Sequence, residues 1–170
     1  ELETGDVVTH CFNGKANGIL DQTNQTIKPF VFAAYEKGLV FDIGHGTDSF
    51  NFDVAETAFA NQLKASSIST DIYIRNRTNG PVFDLATTME KLAVVGYDWR
   101  EIIEKVTSAP AKQFHLQNKG EIALGYDADF TIFRFEAGEK ELTDSNGNRR
   151  ITTQQIVPQK AVIGGELFDT

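Results

Sequence analysis

The sequence predicts an α/β protein in which parallel strands alternate with helices, followed by a smaller β-rich segment. Three observations carry this prediction. Short strand-like segments recur at residues 7–12, 39–43 and 67–72; helical stretches separate them; and after Pro110 the chain turns to alternating apolar residues and turn residues. Strand–helix–strand alternation implies parallel pairing through right-handed crossovers.

Taken in order, Thr4 to Asp6 reads as a turn, and the mostly apolar run to Phe12 suits a strand covered on both faces. Asn13-Gly14 and Asn17-Gly18 punctuate a loop. Pro29 opens a helix over residues 30–37, and Gly38 closes it. A second strand at 39–43 stops at Gly44-His45-Gly46, after which Ser49 or Asn51 caps a helix running to about residue 63, with Val54, Ala58 and Phe59 on one face. The third strand at 67–72 leads to a loop holding Asn79, Gly80 and Pro81, then to helices at 82–95 and 98–106 split by Gly96. Beyond a boundary near residue 118, residues 130–135 alternate as a strand. Asp144 to Asn148 form a hairpin loop, and residues 157–168 make a second small hairpin around Gly164-Gly165.

Composition narrows the function classes. With 41% hydrophobic and 24% charged residues the chain is neither disordered nor fibrous, and no apolar run reaches the ~20 residues of a membrane span. A net charge of −8 without a basic patch argues against nucleic acid as a partner. One cysteine, Cys11, leaves no internal disulfide and fits a reducing cytoplasm. The first residue is Glu1 rather than Met and a strand follows at once, which suggests a segment of a longer protein.

A residue capable of chemistry sits at each strand's C-terminal end: His10, His45 and Asp71. That edge carries the active site in α/β barrels and open α/β sheets alike. Read singly, a strand histidine is more often structural, Asp71 could cap a turn, and His45 between glycines could be a turn residue. Asp42 and Asp48 read as solvated or turn-forming, His115 as structural, Cys11 as a packing thiol, and Arg75 and Arg77 as surface residues able to grip a carboxylate.

Read together, Thr9-His10-Cys11-Phe12-Asn13-Gly14, Phe41-Asp42-Ile43-Gly44-His45-Gly46, Ile68-Ser69-Thr70-Asp71 and the 120–130 segment Gly-Glu-Ile-Ala-Leu-Gly-Tyr-Asp-Ala-Asp-Phe resemble the amidohydrolase superfamily, in its dihydroorotase-like or deacetylase branch. The resemblance implies the last three or so β/α units of a (β/α)8 TIM barrel over residues 1–118 and a small β-sandwich segment over 119–170. It implies a zinc cofactor of one or two ions, with His10 and Asp71 as metal ligands and Asp71 also as the catalytic proton acceptor. His45, Asn79, Gly80 and Pro81 are implied to bind substrate. The sequence departs from the full pattern because it holds no His-x-His pair, and three strands cannot close a barrel of eight. The expectation is therefore the C-terminal fragment of a cytoplasmic metal-dependent hydrolase that cleaves an amide, cyclic amide or related ester by activated water and is inactive alone. The competing reading is a non-catalytic folding or association module whose open strand edges pair with another copy as a homo-oligomer.

Overall fold

The computed structural model describes all 170 residues. The first strand, β1 (Val7–Val8), pairs in parallel with β4 (Val40–Phe41), and an isolated parallel bridge joins Asp42 to Ser67. Between them lies a hairpin not anticipated from the sequence, β2 (Leu20–Asp21) with β3 (Thr26–Ile27), then α1 (Pro29–Glu36). Further along come α2 (Phe52–Ala60), α3 (Ile74–Asn79), α4 (Leu85–Val95), α5 (Trp99–Val106) and α6 (Ser108–Gln113). The tail is a separate antiparallel sheet in the order β5 (Phe130–Thr143), β6 (Arg149–Ile163), β7 (Glu166–Asp169). This α/β architecture, a parallel sheet plus a separate antiparallel one, is consistent with part of a TIM barrel; no closed barrel is formed.

Local chemistry accounts for the helix limits. Pro29 starts α1, and Gly38, at φ +89°, lets the chain leave it while its N–H bonds to the Tyr35 carbonyl at 3.0 Å. Asn51 caps α2 by accepting from the Val54 N–H at 3.0 Å, and Asp98 with Glu101 forms a capping box on α5. The helix expected from residue 82 begins at Leu85, because Asp84 accepts from the Thr87 N–H at 2.6 Å and fixes the first turn there.

Three expectations are corrected. The third strand does not form as a regular element. Residues 67–71 run beside the second strand through Ile43 N–H to Ser67 O and His45 N–H to Ser69 O, but Asp71 adopts φ +46° and breaks the extension. Asn79 is not in a loop; it ends α3, and Gly80 is that helix's C-terminal cap. The tail is one three-stranded sheet rather than two packed sheets, and its first strand runs on from the expected 130–135 to residue 143, while the second starts at residue 149 rather than 157.

One buried cluster unites the two parts. Leu142 and Ile156 of the tail join Phe12, Ile43, Phe50 and Phe52 in it. The hairpin of β5 and β6 packs on α4 through its strands and reaches the start of α2 with its tip, while residues 121–132 are exposed throughout.

The parallel segments are tied by Asp42, which is buried rather than solvated. Its carboxylate accepts from Thr9 Oγ1 at 2.8 Å, Ser67 Oγ at 2.7 Å and Ser69 Oγ at 2.6 Å. Replacing Asp42 with alanine strands three hydroxyls. The substitution Asp42→Ala is expected to lower the free energy of unfolding by about 3 kcal/mol or more, and Asp42→Asn by less. Urea denaturation of the variants measures both; an unchanged midpoint for Asp42→Ala would contradict the role given to it.

Candidate active site

The residues behind the site are backbone before they are side chains. At the C-terminal ends of the parallel segments, the loop Gly44-His45-Gly46 receives His10 from one neighbour and Asp71 from the other. His10 Nδ1 lies 2.5 Å from the Gly44 carbonyl oxygen. A carbonyl only accepts, so Nδ1 carries a proton and donates, and Nε2 is the ring nitrogen left to offer a lone pair. Asp71 approaches the same loop from the other segment: a methyl group added at Gly46 would sit 2.8 Å from Asp71 Oδ2, and one added at Gly44 would sit 2.7 Å from His10 Nδ1. The two glycines, at φ +48° and +53°, permit both the turn and the close approach.

His10 and Asp71 themselves adopt left-handed backbone, at φ +59° and +46°. Such conformations are uncommon outside glycine and concentrate at functional sites. Asn76 holds the second of them by donating from Nδ2 to the Asp71 carbonyl at 3.0 Å. The Asp71 side chain is exposed and His10 is half-buried. Beside Asp71 lies an open groove of about 460 Å³, lined by Thr70, Ile72, Tyr73, Arg77, Phe83 and Leu85. The larger hollow, lined by Gly5, Asp6, Val40 and Ser66 among others, is at the opposite, N-terminal ends of the strands.

His45 differs from the expected substrate contact. Its ring is fully buried, stacked on Phe50 with centroids 4.9 Å apart, and both nitrogens are engaged within the chain. Nδ1 donates to the Gly46 carbonyl at 2.9 Å, and Nε2 accepts from Lys91 Nζ at 2.7 Å. Burial, and next the Lys91 ammonium, push the His45 imidazole down to about 4, so the ring is neutral near pH 7. Lys91, also fully buried, donates in addition to the Pro81 carbonyl at 2.7 Å. Burial pulls Lys91 down to about 7, against the opposing pull of Asp144, Asp84 and Glu90.

The hairpin between β5 and β6 reaches the same place. Ser145 Oγ lies 3.4 Å from the Gly46 carbonyl, the Ser145 N–H donates to Phe50 O at 3.0 Å, and Asp144 accepts from the Phe52 N–H at the start of α2 at 2.8 Å. Two donors, one from the core and one from the tail, thus converge on the Gly46 carbonyl.

His10 Nε2 and the Asp71 carboxylate are donors of the kinds that zinc takes. No group of three or more His, Cys, Asp or Glu side chains is close enough together to hold a metal ion by itself. His10 and Asp71 therefore fit as part of a donor set.

Comparison with known proteins bears on the family and the fold. Residues 122–169 match the family described as Deacetylase-like composite domain. The chain is 68% identical over 168 residues to a deacetylase of Enterococcus faecalis, covering 99% of itself and 46% of that protein. It is 42% identical over 165 residues to a deacetylase of Agrobacterium fabrum, of which it covers 40%. Among solved structures it superposes on an adenine deaminase with TM-score 0.98 at 67% identity, and on a dihydroorotase with TM-score 0.86 at 42% identity. It covers 99% of itself in both and 46% and 44% of those chains. The chain belongs to the amidohydrolase superfamily, in its dihydroorotase/deacetylase branch. It spans less than half the length of these relatives.

For a member of this superfamily, the sequence picked out His10, His45 and Asp71 but passed over Lys91, Asp42 and Ser145. Lys91 sits in a helical run as an ordinary solvated lysine would, and nothing local marks it. Only the fold reveals it, by burying Thr87, Thr88, Met89, Glu90, Lys91 and Leu92 together in α4.

The pair makes stability depend on pH. His45 in the unfolded chain takes up a proton near its ordinary 6.5 while the folded ring resists until about 4, so stability is intact above 6.5 and falls as pH drops toward 4. Lys91 acts in the same direction at higher pH: the unfolded chain holds its proton to about 10.5 and the folded one to about 7, so stability rises from 7 to 10.5. The expected outcome is a steeper loss of unfolding free energy between pH 6.5 and 4 in the natural chain than in His45→Gln. Parallel urea titrations across that range check it.

Proposed function

We propose that this chain is the C-terminal part of a metal-dependent amidohydrolase whose full-length form hydrolyses an amide, a cyclic amide or a related ester bond with an activated water. The observation that carries the reading is the meeting of His10, with Nε2 free, and Asp71, with its carboxylate exposed, on the Gly44–Gly46 loop. Relatives named deacetylase, adenine deaminase and dihydroorotase support the reaction class, and the deacetylase names favour an acyl substrate.

His10 through Nε2 and Asp71 through its carboxylate would hold zinc, one or two ions, with further ligands from the rest of the full-length protein, since catalytic zinc takes about three protein ligands. Zinc, when bound, supplies a water of lowered pKa and polarises the scissile carbonyl. Asp71 accepts the proton of the attacking water and returns it to the leaving nitrogen. Asn79, Gly80 and Pro81, at the end of α3, border the substrate side, and His45 acts on that side only through the loop backbone. Residues 1–118 are read as the barrel portion and 119–170 as the β segment, in a cytoplasmic enzyme whose partner is a small molecule rather than nucleic acid. No helix is long and apolar enough to cross a membrane.

The test is zinc content after dialysis, followed by assays of the full-length protein on N-acyl amino acids and cyclic amides. The 170 residues alone are expected to retain far less than one zinc and to turn over nothing. In the full-length protein, Asp71→Ala is expected to cost about 10²–10⁴-fold in turnover. Stoichiometric zinc in the isolated chain, lost in Asp71→Ala, would overturn the fragment reading. A second reading, an association module, is favoured by apolar side chains on the tail: Ile122 and Leu124 are 91% and 104% exposed, and Leu167 is 61% exposed. A full-length protein that hydrolyses none of these substrates, with a dimeric isolated chain, would favour it.

A further inference from the structure

Lys91 has no carboxylate within bonding distance. Its ammonium is spent on two neutral acceptors, His45 Nε2 and the Pro81 carbonyl, both at 2.7 Å. A buried lysine without an anionic partner is costly, and a methionine would fill the same space without that cost. What the lysine adds over an apolar residue is direction. It donates to His45, which fixes the proton on Nδ1; Nδ1 donates to the Gly46 carbonyl at 2.9 Å; and Gly46 is the residue whose missing side chain makes room for Asp71 Oδ2. At its other acceptor it holds Pro81, next to the cap of α3, and α3 carries the Asn76 that holds the Asp71 backbone.

We infer that Lys91 is a positioning residue: a buried donor that locks the tautomer of His45 and joins the Gly44–Gly46 loop to the Gly80–Pro81 segment, so that Asp71 is held at the reacting position from both sides. This rests on the hydrolase reading for its effect on rate, but not for its effect on His45. Small misplacements of a reacting group cost rate rather than substrate affinity. The relay therefore acts on kcat, and it needs a donor at position 91 but not a charge.

The experiment uses the full-length protein with 15N-labelled histidine and the variants Lys91→Met and Lys91→Gln. In the natural protein near pH 7, the His45 ring nitrogens, assigned by their loss in His45→Gln, are expected to report a neutral ring protonated at Nδ1. Lys91→Met is expected to shift that ring toward the Nε2-protonated tautomer and to lower kcat about tenfold or more, with KM within about twofold. Lys91→Gln, whose amide still donates, is expected to restore the Nδ1 tautomer and keep kcat within about threefold. An Nε2-protonated or charged His45 in the natural protein overturns the inference even if Lys91→Met fails to fold. Natural kcat in a folded Lys91→Met also overturns it, since packing alone would then suffice. If the natural protein shows no hydrolysis at all, the hydrolase reading fails, while the tautomer measurement still decides the relay.

Discussion

The carboxylate of Asp42 accepts hydrogen bonds from the hydroxyls of Thr9, Ser67 and Ser69, and these four residues span the three parallel segments that carry the candidate site. Acceptor and donors lie close in sequence to residues of chemical interest: Thr9 precedes His10, the acceptor Asp42 precedes the Gly44–Gly46 loop, and Ser69 stands two residues before Asp71. Regular pairing is short here, only Val7–Val8 against Val40–Phe41 plus one bridge, so backbone bonds alone do little to hold the segments in register. A buried carboxylate with several partners is a strong and directional substitute. It fixes the ends of the segments where the backbone turns left-handed and regular pairing stops.

A second set of buried polar groups does the same between the two parts of the chain. Glu90 and Lys91 are consecutive in α4, and both are fully buried. Glu90 faces the tail, accepting from the Ile156 N–H at 2.8 Å and Lys140 Nζ at 2.7 Å, whereas Lys91 faces the loops of the site. Trp99 of α5 adds a bond to Gln154 at 2.6 Å and a ring contact with Phe135. The tail is thereby joined to the site's supporting helices by oriented polar contacts as well as by the apolar packing of Leu142 and Ile156.

What could be read from the sequence was what depends on near neighbours. The cap Asn51, the start of α5 near residue 98, the end of α1 at Gly38 and the turn at Asp144–Asn148 all follow from residues within a few positions of one another. The placement of His10, His45 and Asp71 at one edge followed from the alternation of strand and helix. The rest depended on partners far along the chain. Asp42 looks solvated until Ser67, 25 residues on, is placed beside it, and His45 looks outward-facing until Lys91, 46 residues on, turns it in. The length of β5 and β6 was hidden because polar residues pair across the hairpin, as Lys140 with Thr152 and Glu136 with Gln155, without an apolar stripe.

The docking of the hairpin tip has a consequence in time. Ser145 meets Phe50 and Gly46 from 95 and 99 positions further on, and Asp144 meets the start of α2 from 92. During synthesis the glycine–histidine–glycine loop leaves the ribosome about a hundred residues before the groups that hold its carbonyl and cap its following helix. Contacts so distant in sequence close late, after the local elements have formed. The loop is thus completed by the last third of the chain, and a protein interrupted before the hairpin would carry the residues of the site without its finished shape.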